Sequence, residues 1–321
     1  MQEVIREKAA SLLRDGTVTR VLAWKRGELG YDVTPAVFTS EDQLSELVYN
    51  GFCGANMSKY TVKLSHGEGK TAVFLKPCDT YSFNQLLCEH RIIRDNVYVV
   101  GIPCNGMLDE GKMKHLVPEL LGAEEDGETV HLKTYDDVLT TPRTELLLER
   151  CENCKSRRHV VYDELLGEDG EVLDSHRFDE VERLEAMTPD ERYAFWQSEL
   201  SRCIRCNACR NVCPACTCEK CVFDNPESGV ENKAAANSFE EKLFHVIRAF
   251  HVAGRCTDCG ECSRVCPQNI PLHLLNRKFI SDINRLYGDY QAGETDNGRS
   301  PLVNFNKGDG EPCDFDKGGR E

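Results

Sequence analysis

Eighteen cysteines in 321 residues are the part of this sequence best able to do chemistry, and their spacing indicates which. Eight fall in two matching runs, Cys203-x2-Cys206-x2-Cys209-x3-Cys213-Pro214 and Cys256-x2-Cys259-x2-Cys262-x3-Cys266-Pro267, offset by 53 residues. Turns of this spacing converge three thiolates on one face of an iron–sulfur cubane, while the fourth cysteine, steered away by its proline, serves the other cubane. Cys203, Cys206, Cys209 and Cys266 are therefore assigned to one 4Fe–4S cluster, and Cys256, Cys259, Cys262 and Cys213 to a second. Zinc would ask for pairs of C-x2-C, not three close cysteines and a Cys-Pro. Two full copies of the pattern argue against it.

The remaining cysteines form looser sets. Cys216, Cys218 and Cys221 follow the first run directly, too densely for packing alone; they are candidates for additional metal ligands or for capping the cluster pocket. Cys78, Cys104, Cys151 and Cys154 make a candidate third 4Fe–4S site, with Cys53 as the substitute should Cys78 fail. Cys88 reads as core and Cys313 as a bystander thiol. His245 and His251, six residues apart, do not share a helix face and read as satisfied or exposed histidines. Lys59 and Lys76 could meet a cofactor phosphate, against the plainer reading of solvated lysines, and Asp136-Asp137 reads as surface. No Ser/His/Asp arrangement, P-loop or G-x-G-x-x-G is present.

The elements that must position these residues fall into two regions. In the first, residues 1–175, Glu3 to Arg14 has helical spacing, and Val18 to Trp24 and Val33 to Phe38 read as strands. Ser40 and Gln43 read as a capping box opening a short helix, and Asn50-Gly51 as a turn. Thr71 to Lys76 and Asn96 to Ile102 are apolar strands running into Pro77-Cys78 and Pro103-Cys104, with a helix between them. That order favours a parallel pair, with both cysteines at the carboxyl edge where open α/β sheets bind ligands. Residues 118–146 read as a variable surface region with one weak strand at Thr129 to Lys133, and residues 167–185 as an acidic connector.

The second region, 176–290, holds a repeat: a capped helix followed by a four-cysteine run. Thr188-Pro189-Asp190-Glu191 opens a helix through Phe195, Trp196 and Leu200. Ser238-Phe239-Glu240-Glu241 opens another through Leu243, Val246, Ile247 and Phe250. Leu272 to Tyr287 reads as a closing helix, and residues 291–321 as a mobile tail or strap. The 42 residues between Cys213 and Cys256 are too many for a compact bacterial ferredoxin, so the fold expected is an α/β domain with a mixed or parallel sheet, followed by a mainly α dicluster domain.

Net charge is −15, from 39 basic and 54 acidic residues, the wrong sign for a nucleic-acid partner or an anionic membrane surface. No apolar stretch approaches the roughly 20 residues of a membrane helix, and MQEVIREKAA lacks the apolar segment of a signal peptide. A cytoplasmic chain is expected, in which thiols hold metal and not disulfides.

Phe74-Leu75-Lys76-Pro77-Cys78-Asp79, Val100-Gly101-Ile102-Pro103-Cys104, and Cys151-Glu152-Asn153-Cys154 followed by Tyr162 to Gly167 resemble the coenzyme F-420 hydrogenase/dehydrogenase beta-subunit family. The two cysteine runs resemble dicluster ferredoxin modules of heterodisulfide-reductase-like subunits. The resemblance implies an electron-transfer subunit of a soluble anaerobic oxidoreductase complex working with a formate dehydrogenase, a hydrogenase or a heterodisulfide-reductase-like assembly, and FAD beside a cluster in the N-terminal part. Electrons would pass between other subunits, or a soluble carrier, through two or three clusters. A self-contained flavoenzyme reducing a small substrate and a cluster-based redox sensor are the alternative readings.

Overall fold

The architecture of the N-terminal half is decided by short strands with no polar face. The computed structural model describes residues 1–225, 227, 238–296, 298–304, 306 and 307, of residues 238–241 the backbone only. The chain divides into two units, Met1–Ser175 and His176–Glu321.

In the first unit, α1 (Gln2–Arg14) buries Ile5, Ala9 and Leu12. The strands β1 (Arg20–Arg26) and β2 (Val33–Phe38) pair antiparallel, Trp24 opposite Pro35. A 3-10 turn follows over Glu41–Glu46. The capping box expected at Ser40 is displaced by one residue: Ser40 makes no side-chain cap bond, and the Thr39 amide donates to Gln43 Oε1 at 2.8 Å. After α2 (Ser58–Ser65) comes β3 (Thr71–Leu75), buried at all five positions, then α3 (Pro77–Cys88) and β4 (Val97–Gly101). Uninterrupted apolar runs belong to strands covered on both faces. As expected, β3 and β4 pair in parallel, Val73 opposite Val99.

The chain continues through α4 (Glu110–Leu116), β5 (Gly122–Asp126), β6 (Thr129–Lys133), β7 (Val138–Pro142), α5 (Glu149–Glu152) and β8 (Glu164–Leu165). The main sheet has the order β2-β1-β3-β4-β8, parallel except for β2. Pro35 sits on its edge strand, where a missing N–H is tolerated. Residues 118–146 are more than the surface region expected. β5, β6 and β7 form an antiparallel sheet with its own core, Val130 and Leu132 of the middle strand packing with Met113, Ala123 and Leu146. Only the middle strand alternates clearly, so its neighbours escape a pattern-based reading.

In the second unit, α6 (Asp179–Glu185) lies within the stretch expected as a connector, and its Val181 and Leu184 pack on Leu274. α7 (Pro189–Ser201) opens on the expected capping box: the Glu191 amide donates to Thr188 Oγ1 at 3.3 Å, and the Thr188 amide to Glu191 Oε2 at 2.9 Å. Next come α8 (Ala208–Val212), α9 (Ser238–Val252), α10 (Glu261–Arg264) and α11 (Leu272–Tyr287). The capping device read at Ser238–Glu241 falls on side chains outside the described residues.

The buried face of α9 is not the apolar series Leu243, Val246, Ile247 and Phe250. Val246 and Phe250 are exposed, and Phe244, His245, Arg248, Ala249 and Val252 are buried. The first part of the stretch read as a mobile tail packs on this unit: Tyr290 Oη donates to Gly254 O at 2.8 Å, and Ala292 and Ser300 are buried. Residues 308–321, with Cys313, lie outside the described residues. Among those described, no helix is long and apolar enough to cross a membrane.

Gly254 gives this packing a direct test. Its φ is +69°, and an added Cβ would lie 2.0 Å from Ser300 Oγ. Gly254→Ala is expected to destabilise the C-terminal unit by about 1 kcal/mol or more and to expose residues 291–304 to protease. Unchanged melting and cleavage would show that the segment does not depend on this contact.

Candidate metal centres

The two cysteine runs share a backbone. Arg205 and Asn207 in the first have φ of +52° and +62°; the corresponding Asp258 and Gly260 in the second have +57° and +63°. Three of these four are not glycine, and a left-handed residue with a Cβ costs about 1–2 kcal/mol, which the surroundings must sustain. The turns aim amides at sulfur: the Arg205 N–H donates to Cys203 Sγ at 3.4 Å, and the Asp258 amide to Cys256 in the same way. Cys209 then sits in α8 and Cys262 in α10.

Packing brings the runs together crosswise. Cys203, Cys209 and Cys266 share an apolar group with Leu200, Phe223, Phe244, Ile270 and Leu272, which Cys221 and Cys262 also enter. Cys213 and Cys256 pack with Ala215, Val252 and Cys216. Cys209 is within electrostatic reach of Cys203 and Cys266 as well as of Cys262, and Cys213 of Cys256, Cys259 and Cys262. Cys206 is exposed. Burial, with neighbouring sulfurs adding, pushes the Cys209 thiol up to about 12 and raises Cys256, Cys259 and Cys262. Such thiols ionise when a metal takes the proton's place.

Soft sulfur donors in apolar surroundings suit iron–sulfur chemistry. Among the described residues no three His, Cys, Asp or Glu side chains close on a single metal ion. A cubane asks for something different, because each thiolate meets its own iron.

Charged and polar groups line both sets. His245 Nε2 lies 3.2 Å from Cys203 Sγ. Burial, with the charges of Arg248 and Arg205 adding, pushes this imidazole down to about 3. The Arg205 guanidinium stacks 3.9 Å from the centre of the Phe244 ring. On the other side, Asp258 neighbours Cys256 and Glu261 neighbours Cys259. The Asp258 carboxylate is itself held by Arg277 Nε at 2.9 Å and Arg177 Nη1 at 3.3 Å. Sequence reasoning set His245 aside as a satisfied histidine and passed over Arg248. The available signal was polar residues three apart on a helix joining two cysteine runs.

The cysteines after the first run do not converge. Cys216 packs with Cys213 and Cys256, Cys221 enters the other group beside the Arg210–Asp224 ion pair, and Cys218 is exposed.

In the N-terminal unit, Cys78 opens α3 after β3 and Cys104 follows β4, so both stand at carboxyl ends of neighbouring parallel strands. Cys104 is within electrostatic reach of Cys78, Cys53 and Cys151, and Cys151 of Cys154. The Gly106 amide donates to Cys104 Sγ at 3.4 Å and the Met107 amide to Cys151 Sγ at 3.3 Å. Burial pushes Cys104 up to about 11 and Cys53 up to about 12, and raises Cys78 and Cys154.

Lys76 is fully buried rather than solvated. Its Nζ lies 3.0 Å from Asp79 Oδ2, donates to Ala55 O at 2.9 Å, and sits 4.3 Å from the Trp24 ring centre. Arg150, nearly buried, donates to Gly54 O. These two cations tie the loop around Cys53–Asn56 to the cysteine edge of the sheet. Lys76, one of the two lysines considered for a cofactor phosphate, is thus engaged within the fold, and no described residue is assigned to FAD.

An α/β unit with cysteines on its sheet edge, joined to a helical unit with two matched cysteine runs, marks a protein of the iron–sulfur class. Residues 199–270 match the family of the 4Fe-4S dicluster domain. The chain is similar to the F420-dependent formate dehydrogenase subunit beta of Methanocaldococcus jannaschii, 26% identical over 359 aligned positions covering 92% of each. It is also similar to the F420-dependent formate dehydrogenase 1 subunit beta of Methanococcus maripaludis, 25% identical over 275 positions, 66% of this chain and 71% of that protein. A ferredoxin of Sinorhizobium fredii is 36% identical over 82 positions, 25% of this chain and 76% of the ferredoxin. The chain therefore joins a beta-subunit-like region of the coenzyme F-420 hydrogenase/dehydrogenase kind to a C-terminal 4Fe–4S dicluster domain.

The Lys76–Asp79 pair can be tested by breaking it unevenly. Asp79→Leu leaves a buried ammonium without its carboxylate and is expected to destabilise the N-terminal unit by about 3–5 kcal/mol. The double variant Lys76→Met/Asp79→Leu should lose distinctly less, as read from denaturant midpoints. A double variant as unstable as the single would show that the pair is not what holds this edge.

Proposed function

We propose that this chain is the electron-transfer subunit of a multi-subunit oxidoreductase of the formate dehydrogenase or hydrogenase type. In this reading electrons pass between a partner's active site and a carrier through two 4Fe–4S clusters in the C-terminal unit. Cys203, Cys206, Cys209 and Cys266 hold one, and Cys256, Cys259, Cys262 and Cys213 the other. The supporting observation is the crosswise packing of the runs, in which Cys266 shares an apolar group with Cys203 and Cys209, and Cys213 shares one with Cys256. Similarity to formate dehydrogenase beta subunits over most of the chain supports the setting in a complex. A third cluster on Cys78, Cys104, Cys151 and Cys154 is proposed for the sheet edge; Cys53 lies close enough to replace one of them.

A 4Fe–4S cluster supplies one-electron transfer, and the protein's own task is to hold it and set its potential through hydrogen bonds, charge and burial. The amides of Arg205 and Asp258 point at sulfur for that purpose. His245 and Arg205 lie beside the first set, and Asp258 and Glu261, each paired with arginine, beside the second. The acidic exterior, net charge −15, fits a partner with a basic docking face.

Metal, sulfide and flavin analysis of anaerobically purified protein tests the reading. About eight iron atoms correspond to two clusters and about twelve to three; stoichiometric zinc with little iron would overturn the proposal. Cys206→Ser should remove one C-terminal EPR signal, leave the N-terminal unit folded and weaken transfer to the partner. Retention of all iron and full transfer would refute the ligand assignment. Cys104→Ser should remove about four iron atoms if the third cluster is present, without touching either C-terminal signal.

A further inference from the structure

Helix α9 turns a cation into the space between the two cysteine sets. Arg248 is 3% exposed, on the face that also carries Phe244, His245 and Val252. None of its three guanidinium nitrogens meets an oxygen acceptor among the described residues. Sulfur is the neighbouring chemistry: Phe244 of the same helix packs with Cys209 and Cys262, Val252 packs with Cys213 and Cys216, and all four cysteines are within electrostatic reach of the guanidinium. A buried guanidinium without a counter-charge is costly, and thiolates at these cysteines would supply the negative charge. Cys209 belongs to the first proposed cluster, Cys213 and Cys262 to the second.

We infer that Arg248 is a fixed cation shared by the two clusters, balancing cysteinate charge from both and stabilising the added electron on whichever is reduced. The inference rests on the reading of the two cysteine sets as cluster ligands. Each reduction brings one electron from the partner or a chemical reductant, and no bond forms or breaks. Because arginine stays protonated throughout the working range, the stabilisation does not depend on a proton arriving with the electron. His245, one turn earlier, approaches Cys203 alone and serves as the contrast. Arg248 is thus a positioning residue for charge, acting through the cysteines.

The test uses the full chain, purified anaerobically and titrated with dithionite under EPR, with iron and sulfide measured on every sample. Arg248→Met is expected to keep wild-type iron and to move both C-terminal midpoints in the negative direction. A tenfold loss in the relative stability of the reduced state corresponds to about 59 mV for a one-electron couple. Arg248→Lys, titrated at mildly acid pH so that the ammonium stays charged, should move both by less, and His245→Leu should move one only. Full iron with neither midpoint moved, or only one moved, in Arg248→Met overturns the shared cation. If Arg248→Met loses iron, Arg248→Lys decides: iron kept, with both midpoints near wild type, supports the charge role, and equal loss of iron overturns it. A wild-type chain without iron overturns the cluster reading itself, and this inference with it.

Discussion

Placing many thiols inside a protein creates an electrostatic demand that shapes everything around them. A buried cysteine resists ionisation, as the upward shifts at Cys209, Cys256 and Cys104 show, yet a cluster ligand must be ionised. Metal supplies most of the compensation, and the remainder has to come from fixed dipoles and buried cations. Both units contain such cations beside their cysteines: Lys76 and Arg150 near Cys78 and Cys104, and Arg248 near Cys209, Cys213 and Cys262. The two solutions differ. Lys76 has a carboxylate partner in Asp79 and contributes as half of a dipole, whereas Arg248 faces sulfur directly.

Backbone conformation does the rest of the work at the cysteine runs. Left-handed residues at the same two places of each run leave successive amides facing sulfur, so each loop contributes hydrogen bonds before any side chain is considered. Short loops of this kind cannot close a core by themselves. The helices around them provide the apolar surface, Leu200 from α7, Phe244 from α9 and Leu272 from α11 lying in one group with Cys209 and Cys262. The long connection between the runs is what admits α9, and α9 is what brings His245 and Arg248 inside. Spacing, helix and charge are therefore parts of one arrangement.

How much of this could be read from the sequence depends on whether the determining contact is local. The parallel pair β3–β4 was legible because its strands are apolar throughout and each runs into Pro-Cys. The start of α7 was legible because Thr188 and Glu191 satisfy each other three residues apart. The sheet over Gly122–Pro142 was not, since only β6 alternates and the contacts that bury it come from Met113 and Leu146. The inner face of α9 was not legible because apolarity is the usual guide to burial, and here His245 and Arg248 are buried while Val246 and Phe250 are exposed. Lys76 hid in a different way. A Lys and an Asp three residues apart commonly form an exposed helix pair, and only Trp24 and Ala55, distant in sequence, make this one buried.

The choice of cation in each unit follows from these surroundings. An ammonium is a compact charge that a single carboxylate and one carbonyl can satisfy, which is what Asp79 and Ala55 provide for Lys76. Deprived of a carboxylate, a lysine beside buried thiols could be held neutral by burial, and its charge would then depend on pH. A guanidinium keeps its charge and spreads it over a plane wide enough to address several sulfurs at once. The space beside Cys209, Cys213, Cys216 and Cys262 contains no such carboxylate for Arg248 among the described residues. Arginine is therefore the side chain that can remain a cation there in every redox state, and its position on α9 is as closely tied to the cysteines as the left-handed turns that carry them.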